Sequence, residues 1–346
     1  MHDDKEPPID EEFLKTLPVQ SETIGFGPDE LVSCTTCARA NPPTRLRCVY
    51  CGAELPLTPE QAAAVAPQLR RLESFENGFN VIYRPSDDTK TEAANVAELA
   101  KFVGIEEEDL KNILESGKPL PLARTETAKE AEILGNRLRK DGFETCIVAD
   151  EALAADDLPK RLRGLEFRGD DLLLILFNND EVTQLPAADL SVIVTGAIFE
   201  KSVESMEKRK KGETKILETT ETASDELLID FYSKNDPAGY RILTKGFDFS
   251  CLGAEKGIIA RDNLKRLVEK LHEAAPDARL VEDYTTIRGL LGGVWEVEQR
   301  RDSRGLTRQR FGKFDLSSVS SSSNRQQFTK YSRLQWRLWE VLSLES

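Results

Sequence analysis

Four cysteines constrain this chain more than any other feature: Cys34-Thr35-Thr36-Cys37, then ten residues, then Cys48-Val49-Tyr50-Cys51-Gly52. A two-residue gap lets both thiolates of a pair face one ion from a tight knuckle, and two knuckles complete a tetrahedral shell for one Zn2+ per chain. Four thiolates around a dication leave an excess of negative charge, which Arg39, Arg45 and Arg47 in the intervening loop partly offset. With every position filled, none remains for water or substrate, so the ion is expected to fold its segment and not to catalyse. Two redox dithiols or a pair of disulfides are the other chemistries open to these spacings.

The rest of the chain sets outer bounds. Its 346 residues, 39% apolar and 31% charged, are enough for two or three domains with substantial cores. The longest apolar runs, such as Leu172–Phe177, fall far short of the roughly 20 residues a bilayer span needs. The acidic start Met1-His2-Asp3-Asp4-Lys5-Glu6 lacks the basic and apolar regions of a signal peptide. Four metal-binding thiols, with Cys146 and Cys251 as small core residues, fit a reducing cytoplasm. The net charge of −14 conceals an asymmetry: residues 299–346 carry +6 and the remainder −20. An acidic body repels polyphosphate, so only the basic end is expected to offer nucleic-acid contacts.

Cys-x2-Cys, Asn41-Pro42-Pro43, Arg47-Cys48-x2-Cys51-Gly52 and Leu55 resemble the short zinc ribbon found at the ends of many bacterial proteins. The same stretch is similar to the Ran-binding-protein-2 type zinc finger, including Asn41 four residues after the second cysteine. The resemblance covers residues 30–56 and implies a metal. It implies no particular ligand, since Val32 stands where RNA-binding members carry tryptophan and Ala38-Arg39 where ubiquitin-binding members carry Thr-Phe.

Ahead of the ribbon, residues 1–30 hold nine acids, two lysines and four prolines and read as a disordered leader. Behind it, Thr58-Pro59 opens a helical linker over 57–76. Residues 79–150 then give the clearest folded pattern. Phe79–Arg84 alternates as a strand; Thr91–Val103 has a helical apolar repeat ended by Gly104; Glu106–Ser116 is a second helix; Pro119–Arg124, Thr127–Lys140 and Glu144–Ala149 complete the order βααβαβ. With Gly104-Ile105, Leu110, Ile113-Leu114, Lys118-Pro119 and Asp141-Gly142-Phe143, this segment resembles the C-terminal domain of ribosomal protein L7/L12 and the similar fold of the adaptor ClpS. The resemblance implies a small protein-docking fold. Asp87-Asp88 reads as a solvated turn.

Over 160–298 the pattern becomes β-rich. Leu165–Arg168, Leu172–Phe177, Glu181–Leu185, Leu190–Glu200, Leu227–Ser233 and Tyr240–Phe249 read as strands between turn signals, with Glu204–Thr222 as a charged loop insertion. An amphipathic helix, Arg261–Ala275, closes them, and the set resembles a pleckstrin-homology-like barrel in architecture. Residues 299–325 read as an Arg/Ser-rich linker. Asn324 caps a basic amphipathic helix over 326–346, with Phe328, Tyr331, Leu334, Leu338, Val341 and Leu342 on one face and Lys330, Arg333 and Arg337 opposite. The fold class is therefore α+β multidomain: ribbon, βααβαβ sandwich and β-rich barrel with a C-terminal helix.

Catalytic patterns are sparse. His2 and His272 are the only histidines, there is no GxxxxGK[ST] loop or strand-linked GxGxxG, and Asp156-Asp157 and Asp170-Asp171 fall in turns. Gly289–Gly293 reads as a flexible joint. The expected function is a cytoplasmic, non-enzymatic zinc-binding adaptor that holds protein partners. The alternative is a nucleic-acid-associated factor using the ribbon arginines and the basic end. The last helix packs on its own domain, enters a partner's groove or lies on a membrane surface, and no small-molecule substrate is implied.

Overall fold

The structure is a computed structural model that describes residues 31–43, 45, 47–53, 55–56, 72–73, 76–85, 96–179, 181–210, 213–310 and 313–345. The acidic leader, most of the helical linker over 57–76 and the Asp87-Asp88 turn lie outside the described residues. The chain divides into two compact units, Met1–Ala66 and Pro67–Ser346.

In the first unit, β1 (Val32–Ser33) pairs antiparallel with β2 (Ala40–Asn41). Val32, Leu55, Cys34 and Cys48 form its buried cluster. Four such side chains, at about 1.5–3 kcal/mol for each large aliphatic, do not offset ~1–2 kcal/mol of backbone entropy for every ordered residue. A fold this small needs a further constraint.

The second unit begins with the expected βααβαβ order: β3 (Phe79–Tyr83), α1 (Val96–Val103), α2 (Glu107–Glu115), β4 (Leu120–Thr125), α3 (Ala128–Lys140) and β5 (Thr145–Ala149). The strands form a three-stranded antiparallel sheet with β3 in the centre. Gly104 ends α1 at φ +81°, a backbone state that costs other residues about 1–2 kcal/mol, and its N–H reaches the Ala100 carbonyl at 2.9 Å. A reciprocal cap starts α3: Thr127 Oγ1 accepts from the Glu130 amide at 3.2 Å, and Glu130 Oε2 accepts from the Thr127 amide at 3.0 Å. A single turn, α4 (Asp150–Leu153), follows.

The remaining strands are β6 (Lys160–Arg168), β7 (Asp171–Leu176), β8 (Val182–Pro186), β9 (Leu190–Lys210), β10 (Glu213–Ser233), β11 (Asp236–Leu243), β12 (Arg279–Val281), β13 (Glu298–Arg310) and β14 (Lys313–Ser323). They join one nine-stranded sheet in the order β13-β14-β9-β10-β11-β6-β7-β8, with β12 beside β9. Three helices complete the unit: α5 (Ala260–Ala274), α6 (Tyr284–Leu291) and α7 (Arg325–Glu345). No closed barrel forms among the described residues, because β13 and β8, at the two ends of the strand order, do not pair. The pleckstrin-homology-like expectation is corrected to an open sheet flanked by helices.

The apolar runs in β9 and β10 explain the architecture. Ile193, Ile229 and Phe231 point into one core with α5 and β6–β8; Val192, Val194, Leu228 and Tyr232 point into another, with α6, α7 and the βααβαβ segment. A strand pair buried on both faces reads as a near-continuous apolar run, not as an alternation. The segments expected as separate docking and barrel domains thus share a core. Trp295, next to the expected glycine joint, is fixed in it, its Nε1 donating to Asn80 Oδ1 at 2.8 Å.

Beyond Ile198 the same strands turn polar and continue. Residues 204–222, expected as a loop insertion, extend the β9–β10 ladder, and residues 299–325, expected as a linker, are mostly the β13–β14 hairpin, which pairs with β9 from Glu200 to Glu207. Each segment takes its shape from strand pairing on at least one side, although composition alone had suggested loops.

The C-terminal helix packs on its own unit and is buried on nearly all sides. Phe328, Tyr331, Leu334, Trp336 and Leu338 are buried, as are the polar Gln327, Thr329, Ser332, Arg333 and Gln335, whereas Val341 and Leu342 at its end are exposed. Beneath it lies a salt bridge: Arg241 donates from Nε and Nη2 to the two carboxylate oxygens of Asp230, both at 2.7 Å, with the residues 2% and 0% exposed. Thr329 Oγ1 accepts from Arg241 at 3.0 Å, and Ser332 Oγ donates to Asp230 at 2.8 Å. Arg333, expected on the solvent face, donates to the carbonyls of Leu153, Ala154 and Asp157. Asn324 does not cap α7 with its side chain. Its Oδ1 accepts from the Phe199 amide at 2.7 Å, and Ser323 Oγ receives the Arg325 amide at 3.2 Å.

Candidate metal centre

Cys34, Cys37, Cys48 and Cys51 come together as the spacing requires: their sulfurs all lie within 4.8 Å of one another. The two knuckles repeat one backbone design. The Ala38 and Gly52 amides donate to the carbonyls of Cys34 and Cys48, each at 2.9 Å. The Cys34 and Cys48 amides donate to Arg39 and Ala53 carbonyls at 3.0 and 2.8 Å. The residue after each second cysteine turns left-handed, Gly52 at φ +73° and Ala38 at φ +57°. Glycine accepts that conformation freely; alanine holds it at a cost of about 1–2 kcal/mol.

Two sulfur pairs cross between the knuckles at short range, Cys34 with Cys51 at 3.6 Å and Cys37 with Cys48 at 3.5 Å. Four sulfurs at ~2.3 Å from one zinc ion stand about 3.8 Å apart, whereas a disulfide bond is ~2.05 Å long. The cysteines are free thiols. Burial pushes the Cys48 thiol up, but the Tyr50 and Cys51 amides outweigh it and bring it down to about 6. At Cys51 the Ala53 amide favours the thiolate, yet the neighbouring sulfurs of Cys37, Cys34 and Cys48 prevail and raise it to about 12. Crowded sulfurs resist sharing four negative charges without a cation among them. The donor set therefore fits one soft divalent ion.

Around the sulfurs, Asn41 ties the knuckles together. It is fully buried, donates to the Arg39 carbonyl at 2.8 Å and accepts from the Val49 amide at 2.9 Å. Arg39, expected to offset the thiolates, instead lies over the Tyr50 ring, 4.7 Å from its centroid. Val49 and Tyr50, between the second pair of cysteines, are 56% and 57% exposed. Sequence reasoning treated them as spacers; an apolar pair inside a knuckle was the available signal.

The second unit gathers none of the other flagged residues into a site. His272 lies in the last turn of α5, and Asp156, Asp157 and Asp170 are exposed in turns. Cys146 and Cys251 are half-buried against the two cores. A cleft of about 320 Å³ opens beside α1 and α7, with Val103, Ile105, Leu122, Arg124 and Lys330 in its wall. Its two cations are held by Asp150, whose carboxylate meets Arg124 at 2.7 Å and Lys330 at 3.3 Å. Among the described residues no helix is long and apolar enough to cross a membrane. Comparison with protein-family models, curated proteins and solved structures finds no match to this chain.

Proposed function

We propose that this chain is a non-enzymatic, zinc-stabilised adaptor of the reducing cytoplasm, with one structural Zn2+ held by Cys34, Cys37, Cys48 and Cys51. The observation that carries this reading is the four-sulfur cluster itself. Its donors complete a tetrahedral shell, so the ion acts on folding and leaves no position for a reacting ligand. The second support is what the metal would hold still. Val49 and Tyr50 sit exposed on the knuckle that supplies Cys48 and Cys51, and the Arg39 guanidinium stacks on the tyrosine ring. Fixed aromatic and aliphatic groups beside an arginine are the kind of anchors protein interfaces use.

The test has two arms. Elemental analysis of reduced protein should give one zinc per chain. Capture of partners from the native host should then depend on zinc and on Val49 and Tyr50, being lost in a Val49→Ser/Tyr50→Ala variant that keeps its metal. Zinc-free protein with a folded first unit would overturn the metal assignment. Unchanged capture by that variant would overturn the knuckle as the docking surface.

A further inference from the structure

Two neighbouring isoleucines stand in solvent on a loop that the fold holds still. The loop joins a tight helical segment, Phe249–Glu255, to α5, and every residue from Gly253 to Asp262 is exposed. Ile258 is wholly exposed and Ile259 61% exposed, the two most exposed large apolar side chains among the described residues. Asn263, itself buried, spends its side chain on the backbone beside them. Its Oδ1 accepts from the Gly257 amide at 2.7 Å, and its Nδ2 donates to the Gly257 carbonyl at 2.8 Å. Nothing in the fold calls for isoleucine at either position. Ile258 buries none of its surface, and Ile259 occupies the N-cap of α5, where it offers no oxygen to the free amides of the first turn and ranks among the poorest capping residues.

The same stretch is basic in an acidic protein. Residues 253–266 carry Lys256, Arg261, Lys265 and Arg266 against Glu255 and Asp262, a net of +2, so the rest of the chain carries −16. Lys256 is bonded to Asp248 at 3.1 Å and Glu255 to Lys270 at 3.4 Å. Among the described residues, Arg261, Lys265 and Arg266 meet no carboxylate. At about 1.5 Å per residue, these three cations fall within the first ~9 Å of α5, directly behind the isoleucines. The Arg266 guanidinium also lies against the loop, since a Cβ on Gly257 would come 3.2 Å from its Nη1.

We infer that this loop docks on the surface of a membrane that bears anionic phospholipid. The order of residues is the one such a surface requires, with apolar groups leading to a depth of about 5–10 Å and cations following at the headgroups. The small apolar area favours lipid over protein. Two adjacent isoleucines fall far short of the roughly 800 Å² that each partner buries in a stable protein interface, whereas a bilayer accepts protruding apolar groups without shape complementarity. The remaining acids oppose the approach only within a Debye length of about 8 Å, which orients the chain with this end towards the lipid. The surface is separate from the metal centre and extends the adaptor reading to a second class of partner.

The experiment is co-sedimentation of full-length, zinc-loaded protein with vesicles of phosphatidylcholine containing about one third phosphatidylglycerol, at about 100 mM salt. The protein should partition onto these vesicles and far less onto pure phosphatidylcholine. Ile258→Ser/Ile259→Ser should weaken partitioning at least about tenfold, whereas Ile258→Leu/Ile259→Leu should retain it. Both should leave the tryptophan-reported urea midpoint in place, which separates lost insertion from a disturbed fold. Arg261→Gln/Lys265→Gln should cost roughly twenty- to thirtyfold, about fivefold for each charge, and reduce the preference for anionic lipid. Val341→Ser/Leu342→Ser, at the exposed end of α7, should leave partitioning unchanged. Cys48→Ser should also spare it, so that failure here is distinct from failure of the metal assignment. No partitioning onto anionic vesicles, partitioning unmoved by the double serine variant, or partitioning lost in Val341→Ser/Leu342→Ser instead would overturn the inference. So would a dimer that the double serine variant dissolves, found without vesicle binding, because the loop would then join two copies of the chain.

Discussion

Replacing Asp230 with leucine should destabilise the second unit far more than the lost hydrogen bonds alone suggest. The carboxylate makes two bonds of 2.7 Å to Arg241 and accepts from Ser332 at 2.8 Å, in a site where neither charged residue is more than 2% exposed. Without it, a guanidinium remains buried with no counter-charge. Breaking one side of such a pair costs about 3–5 kcal/mol. For a body of this size each kcal/mol lowers Tm by about 2–4 °C, so the expected fall is roughly 6–20 °C. Adding Arg241→Met removes the stranded charge. Ser332 Oγ keeps its contacts to Tyr232 OH at 2.7 Å and to the Thr329 carbonyl at 3.2 Å, so the double variant should recover most of the loss. Urea unfolding followed by tryptophan fluorescence suits the test, because Trp295, Trp336 and Trp339 all lie in the second unit and Trp336 packs 6.3 Å from Tyr232. A double variant as unstable as Asp230→Leu alone would refute the uncompensated charge as the cause.

Four further outcomes are expected. Cys48→Ser, or a strong chelator, should release the metal and unfold the first unit while leaving the tryptophan-reported transition in place; elemental analysis and NMR check this. Ala38→Gly should relieve the left-handed backbone strain by about 1 kcal/mol and slow metal loss to a competing chelator, whereas Ala38→Val should speed it. Gly196→Ala should cost at least about 1–3 kcal/mol in thermal or urea melts, since its new methyl would lie 2.3 Å from the buried Phe328 ring, and Phe328→Leu should partly rescue it. Burial opposes ionisation of Asp150, but Lys330, Asn80 and Arg124 prevail and hold its carboxyl below the usual range. Its stabilisation is therefore present above the unfolded value near 3.9 and lost as pH falls through the lower folded one, so Asp150→Asn should be about 3 kcal/mol less stable at neutral pH and show a shallower acid loss below about pH 4.

Residues whose physics is local were legible. A four-cysteine spacing specifies its own geometry, because the ligands must converge on one point. The Thr127–Glu130 cap and the turn at Gly104 depend on neighbours within four residues, and the order βααβαβ over 79–150 followed from such signals. The strands Leu190–Glu200 and Leu227–Ser233 were equally plain, being apolar enough to need cover on both faces.

What escaped the sequence was stabilised from a distance. Ser317–Ser323 has the composition of a linker, yet it is a strand because β9, more than a hundred residues earlier in the chain, supplies its hydrogen-bond partners. Lys208 and Arg308 stood in separate charged stretches until that pairing brought their hairpins into one sheet. Asn324 looked like a cap because its sequence neighbours are helical, but its side-chain oxygen accepts from the amide of Phe199, 125 residues earlier in the chain. Arg333 likewise sits at a position that helical periodicity assigns to solvent, and only the carbonyls of Leu153, Ala154 and Asp157 make its burial tolerable. Local sequence determined where the chain turns, caps and gathers sulfur; tertiary structure decided which polar segments are inside, because a polar group can be buried wherever the rest of the fold brings it a partner.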